Sequence, residues 1–307
     1  MGGKCSRLGV AILVLGLPLA SPASGQTADE LVAKNLVARG GAAKLDALKA
    51  LRLTGKVRFP GDFELTYQET RTRGPASDLV RVDMAVQGLT IMQAYDGAGG
   101  WRVNPFQGRR DSERMSADEA RSMADSALLS GPLHNAKKAG STISYLGRED
   151  FDGTNAYKLK VTERDGDEFV YLLDPDTMLE IKMTETRRLR GSPVITEYEL
   201  GDYEQVGGVY FPMSIETWGQ GNPNQRSRIM IASAEANPNV NAQLFADPGS
   251  AGASAPSASP QPAPVDQAED AAPVPQTVPK VPDAVNPAKP PSDPKKPDDK
   301  PKSANRG

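Results

Sequence analysis

Few side chains in this sequence could carry out covalent chemistry. His134 is the only histidine, so a Ser-His-Asp triad would have to use it. Its surroundings, GPLHNAKK, contain neither a nucleophile elbow nor an orienting acid. Cys5 is the only cysteine, and it precedes an apolar run near the N-terminus, so we expect the mature chain to have no thiol chemistry and no disulfide.

Motifs for metals and nucleotides are also missing. The segments DFDGTNAYKLKV and RDGDEFVY lack the ligand series and the final glutamate of a calcium loop, so they indicate hairpin turns. The glycine-rich DGAGGW joins strand to strand, whereas a phosphate-binding loop opens a helix. The sequence therefore predicts a protein that is not an enzyme and that needs no cofactor and no metal.

The apolar residues instead alternate along the chain as they do in half-buried strands. Val80, Val82, Met84 and Val86 are separated by polar residues, and similar alternation recurs up to Met213 and Ile215. About ten such strands follow one another, joined by short turns such as DG and GG. This pattern predicts an antiparallel meander that twists and curls toward a barrel.

Helical patterns come before and inside this meander. Thr27 with Glu30 forms a capping box, and a second short helix is predicted where leucines recur every three residues from Leu45. Ser116 with Glu119 begins a third helix, which the segment SGPL at 130–133 is expected to end. This third helix is either a permanent plug of the sheet or a movable lid over a cavity.

The two termini predict export and a tail. Residues 1–25 combine Lys4 and Arg7 with an apolar run and a small-residue stretch, which is typical of a secretory signal peptide cut after Gly25. Residues 249–307 hold most of the prolines and no aromatic residue, leucine or isoleucine, so this tail is predicted to be disordered. It is either a solubilising spacer or a tether that contacts anionic envelope polymers.

The remaining residues, 26–248, form one domain. Removal of the leader lowers the 36 basic residues to 34 against 39 acidic ones, a net charge of about −5. Such mild acidity does not favour nucleic acid as a partner.

Several segments resemble the LolA-like superfamily, above all its outer-membrane lipoprotein-sorting proteins. They are AKNLVARGGAAKLDALKALRLTGKV, QAYDGAGGWRVNPFQG, MSADEARSMADSALLSGPL, YKLKVTERDGDEFVYLLDPDTMLEIKM and YFPMSIE, and the match extends from Asp29 to Phe245. The resemblance implies mainly β structure with an α lid: an open, incomplete antiparallel β-barrel whose concave apolar face is covered by helices. It also implies an arginine that locks the lid, which the sequence does not single out among Arg71, Arg73 and Arg81.

The resemblance further implies a periplasmic carrier of lipoprotein acyl chains or lipids, loaded by an inner-membrane donor and unloaded at an outer-membrane acceptor. The ligand-binding residues predicted for its apolar wall and lid are Phe63, Leu65, Met84, Ile91, Trp101, Phe106, Met123, Leu128, Tyr171 and Met183. The alternative function is a structural envelope protein that binds a protein partner or peptidoglycan and uses the tail as a spacer.

Overall fold

The computed structural model describes residues 26–108, 110–189 and 191–249. The predictions for a signal peptide at 1–25 and for a disordered tail at 249–307 lie outside the described residues, except for Gly249. The described part contains four α-helices and thirteen strands. No helix within it is long and apolar enough to cross a membrane.

Side-chain caps mark the beginning of two of the four helices. The helices are α1 Ala28–Ala38, α2 Ala42–Ala47, α3 Ala117–Ala127 and α4 Gly131–Ala139. Both predicted capping boxes are present, Thr27 with Glu30 at α1 and Ser116 with Glu119 at α3. The expectation that SGPL only ends a helix was wrong, because the segment also begins α4. Pro132 lies in the first turn of α4, where a backbone N–H has no partner within the helix, so the N–H that proline lacks costs no hydrogen bond.

The strands are more numerous than the ten or so that the alternation predicts. They are β1 Ala50–Phe59, β2 Phe63–Thr72, β3 Leu79–Val86, β4 Leu89–Tyr95, β5 Gly100–Val103, β6 Glu113–Arg114, β7 Thr142–Phe151, β8 Thr154–Thr162, β9 Glu168–Leu173, β10 Glu180–Leu189, β11 Ser192–Val206, β12 Val209–Gly219 and β13 Ser227–Ala236. β6 has only two residues and therefore carries no periodic signal.

All thirteen strands form one curved antiparallel sheet in the order β6-β5-β4-β3-β2-β1-β13-β12-β11-β10-β9-β8-β7. Tight turns drive the meander: Gln87-Gly88 and Asp152-Gly153 have positive φ at both positions, which suits two-residue hairpins. β6 and β7 remain at the two edges, so the barrel is not closed. The predicted fold class, an open antiparallel half-barrel with helices on one face, is confirmed.

The two faces of the sheet differ in character. We call the side on which α1–α4 pack the helix face and the opposite side the outer face. On the outer face, charged residues pair across strands, as in Lys182 with Glu197 at 2.7 Å and Arg52 with Glu235 at 2.9 Å. The outer face of β4 and β5 is an exception, because Ala94 and Trp101 are buried there.

Candidate functional site

Three apolar clusters occupy the helix face, and the chain's own helices fill two of them. The first joins β7–β10 to α1 and α4 through Leu31 and Leu133. The second joins β1 and β12 to α2 through Leu45 and Leu48. These leucines are at most 3% exposed, so both clusters are core.

The third cluster, which we call the open patch, lies on β1–β4 and β13 and includes Phe106 from the short 3₁₀ turn Pro105–Gln107. Its described members include no residue of α1–α4. Val57, Leu65, Tyr67 and Ile91 are buried, whereas the others are partly exposed: Phe59, Phe63, Val82, Met84, Val86, Phe106, Ile229 and Ile231. The open patch is therefore an apolar surface with partly exposed members that does not share a cluster with any helix, although α3 lies close to β3 and β4.

Strand register extends this apolar surface sideways. Leu200 of β11 is opposite Ile215 of β12, Ile215 is opposite Ile229 of β13, and the row continues through Val57 to Leu65. Five neighbouring strands at about 4.8 Å give a row of roughly 19 Å. One leaflet of a bilayer's hydrocarbon is about 15 Å thick, so a single acyl chain would fit along the row.

Polar side chains border the open patch on the same face. The hydroxyl of Tyr67 donates to Glu69 Oε2 at 2.6 Å, and burial, followed by the charge of Glu69, raises the pKa of Tyr67 well above its usual range. Arg71 Nε lies 2.5 Å from Glu69 Oε1 in an ion pair whose angle is poor for a hydrogen bond. The apolar patch thus ends against side chains that are hydrogen-bonded and ion-paired with one another.

Arginines anchor the helices at the covered end of the sheet. Arg39 at the end of α1 pairs with Glu180 at 3.3 Å and donates to the carbonyl of Tyr210. Glu180 reaches this face because a bulge leaves Ile181 unpaired between it and Lys182. Arg73 donates to the carbonyls of Leu45 and Leu48, which caps the end of α2.

A second anchor fixes α3 to β10. Asp125 of α3 lies 2.8 Å from Arg187, which also pairs with Asp167 and Glu185. Burial, followed by the charge of Asp125, raises the pKa of nearby Glu163 to about 7. Sequence reasoning missed Arg187; the signal available was a charged pair, Glu185 and Arg187, continuing the apolar alternation of β10.

The structure brings together half of the predicted binding residues. Phe63, Leu65, Met84, Ile91 and Phe106 all belong to the open patch. Tyr171 and Met183 are paired neighbours on the same face, but they pack in the cluster beneath α1 and α4. Met123 on α3 and Leu128 at its C-terminal end are partly exposed.

Trp101 lies on the other side of the sheet. It is opposite Ala94, whereas Ile91 is opposite Met84; an offset of three residues along β4 places these pairs on opposite faces. The C-terminal 3₁₀ turn Ala242–Phe245 covers Trp101, whose Nε1 donates to the carbonyl of Phe245 at 2.7 Å. Trp101 therefore cannot line a site formed by the open patch.

A separate crevice of about 650 Å³ opens where β12 and β13 diverge, beyond the pair Ser214 and Met230. Its lining mixes residues of both faces and includes the carboxylates of Asp202 and Glu204. An acyl chain there would lie against charge, which is unfavourable. We therefore take the open patch, and not this crevice, as the candidate site.

The described residues show no metal-binding group, and the single histidine of the sequence is largely buried. They contain no group of three or more His, Cys, Asp or Glu side chains placed to hold a metal ion. Burial lowers the pKa of His134 to about 4, so its ring is neutral near neutral pH. Its Nε2 is buried and has no hydrogen-bond partner among the residues described.

The fold is similar to that of a lipoprotein-sorting protein domain of known structure. The chain superposes on a putative outer membrane lipoprotein-sorting protein domain from Vibrio parahaemolyticus with a TM-score of 0.51 and 12% identity, covering 71% of this chain and 97% of that one. A DUF1329 family protein from Desulfovibrio piger gives a TM-score of 0.52 with 9% identity, covering the same shares of both chains. A LolA superfamily protein from Nitrosomonas europaea gives 0.49 with 12% identity, covering 72% of this chain and 98% of that one.

The sequence itself matches no family model and no curated protein. At 9 and 12% identity the two similarities above a TM-score of 0.5 concern the fold alone. The similarity of fold therefore assigns no binding residue in this chain.

Proposed function

We propose that this chain is a non-catalytic carrier in the periplasm, and that it binds lipid or the acyl chains of lipoproteins on the open patch. The observation that carries the proposal is the uncovered apolar surface around Met84 on a face whose other clusters are filled by helices. Similarity of fold to a lipoprotein-sorting domain supports the same reading. Burial of each methylene would contribute about 0.8 kcal/mol to binding.

The proposal includes the route of the protein and of its cargo. Residues 1–25 would direct export and be removed, residues 26–248 would form the binding domain, and the tail from residue 249 would act as a spacer or contact the envelope. An inner-membrane donor would load the cargo and an outer-membrane acceptor would receive it. N-terminal sequencing of the protein from the soluble periplasmic fraction should find a start at or near Gln26; an intact Met1 in the membrane fraction would contradict this.

Binding of octanoate, laurate and palmitate by the mature protein tests the proposal directly. We expect affinity to rise with chain length until the patch is filled. Met84→Asp should abolish binding because it places an unpaired carboxylate against hydrocarbon. Thr66→Asp is the matched control, since Thr66 is exposed on the outer face of the neighbouring strand β2.

If none of the three fatty acids binds, the carrier proposal is wrong. It would favour the alternative, a structural envelope protein whose helix face is core throughout and which binds a protein partner or peptidoglycan. In that case Met84→Asp should cost several kcal/mol of stability, as expected for an unpaired charge in a packed core.

A further inference from the structure

Two rows of mostly polar side chains border the open patch. Register places Glu69, Val82 and Gln93 in one row across β2–β4, and Arg71, Val80 and Tyr95 in the next. Both rows lie on the same face as Met84 and Ile91, two and four residues further along each strand. A chain lying on the open patch could therefore end at these rows.

Three of these side chains offer hydrogen-bond donors that the protein leaves unused. Within the described residues, the amide of Gln93, the hydroxyl of Tyr95 and the terminal nitrogens of Arg71 have no hydrogen-bond partner. Gln93 and Tyr95 are partly exposed, and 22% of the Arg71 side chain is exposed. Val80, which is fully buried, and Val82, which is partly exposed, lie between them on β3, and α3 lies close to this strand.

The chemistry of this group selects an acceptor. Arg71 forms its ion pair with Glu69 through Nε, and its terminal nitrogens have no hydrogen-bond partner among the described residues. Guanidinium, amide and phenol donors together suit a carboxylate or a phosphate. The beginning of α3 closes the space at one end, because Gly100, opposite Tyr95, lies against Met115 and Ala120.

We propose that Arg71, Gln93 and Tyr95 form a head-group subsite, so that the cargo is a single-chain amphiphile with an anionic, acceptor-rich head. The apolar tail lies on the open patch and the head binds at the two polar rows under the edge of α3. This inference rests on the proposed function and names the class of ligand for the same site.

The test compares probes that share a chain and differ in the head: laurate, dodecyl phosphate and dodecanol. Calorimetry with the mature protein should show that one of the two anions binds at least about tenfold more tightly than dodecanol. The reason is that hydrogen bonds to a charged group are stronger than hydrogen bonds to a neutral group. The relative affinity of laurate and dodecyl phosphate then separates a carboxylate head from a phosphate head.

The variants are chosen to keep the fold intact. Gln93→Leu combined with Tyr95→Phe removes donors that bond nothing in the protein, and it should lower the affinity for the preferred anion about tenfold while leaving dodecanol unchanged. Gln68→Leu makes the same type of change on the outer face of β2 and should alter neither affinity. Arg71→Met is less clean, because it leaves Glu69 buried without its partner.

The outcomes separate the two proposals. If dodecanol binds as tightly as both anions, or if the double variant leaves the anion preference intact, the head-group subsite is wrong and the carrier function stands. If none of the three probes binds, the carrier function itself fails.

Discussion

The two halves of the helix face are built from the same kinds of residues, yet only one half is covered. On β7–β10, Leu159, Phe169 and Leu173 are at most 2% exposed because α1 and α4 pack on them. On β1–β4 some apolar positions, such as Leu65, are also buried, but others, such as Phe63 and Met84, stay partly exposed. Apolar residues in a strand thus do not by themselves distinguish core from binding surface, since the difference lies in what the rest of the chain places over them.

The largest expected difference between the two halves of the helix face is the loss of stability when a charged residue is introduced into each. Leu159→Asp should cost more than about 4 kcal/mol, because the carboxylate would be fully buried without a partner. Met84→Asp should cost about 1 kcal/mol, because water reaches that position. Urea denaturation of both variants checks this, and equal losses of stability would show that the open patch is as tightly packed as the covered half.

The C-terminal turn on the outer face provides an independent measure of how much a covering segment contributes to the free energy of unfolding. Phe245 is fully buried and holds the C-terminal turn over Trp101, so Phe245→Ala should lower stability by about 3–5 kcal/mol. Deletion of the tail after Gly249 keeps that contact and should leave the melting temperature unchanged. A marked drop on this deletion would show that the tail also packs on the domain.

The anchor of α3 predicts a smaller effect that depends on pH. Because the folded pKa of Glu163 is raised to about 7, the folded state holds this proton more tightly than the unfolded state. The stability that the protonated Glu163 carboxyl contributes is fully present below about pH 4.5 and is lost as the pH rises through 7. Glu163→Gln should therefore stabilise the protein at pH 8 by about 1 kcal/mol, allowing for solvent screening. The variant should also make the free energy of unfolding less dependent on pH.

Denaturation of wild type and Glu163→Gln at pH 5 and pH 8 measures this difference. Glu168→Gln serves as a control, since Glu168 is near in sequence but forms a partly exposed pair with Lys160. Identical pH profiles for wild type and Glu163→Gln would show that the carboxyl is not desolvated.

The smallest expected effect is spectroscopic. Both tryptophans lie on the outer face: Trp101 beneath the C-terminal turn, and Trp218, which is opposite Glu197 and lies under Arg226. Laurate binding should leave the native tryptophan emission nearly unchanged. A Phe63→Trp variant should respond to laurate, and a response of wild type equal to that of this variant would place the ligand away from the open patch.

The sequence by itself determined the local elements and the kind of fold. Alternation of apolar residues predicted strands such as β3, and the pairs Thr27 with Glu30 and Ser116 with Glu119 predicted two helix starts, because these signals depend on neighbours within one turn or one strand. The short turns predicted an antiparallel meander. Five of the ten predicted wall residues also lie together on the open patch.

Only the tertiary structure decided which apolar residues meet and which are covered. Trp101 falls on the outer face because side-chain direction depends on register with β4, and one residue of difference reverses it. The bulge at Ile181 turns Glu180 toward Arg39, and Asp125 meets Arg187 from a distant helix. Such contacts join residues far apart in the chain, so no local pattern encodes them, and the exposure of the open patch follows from where the helices pack.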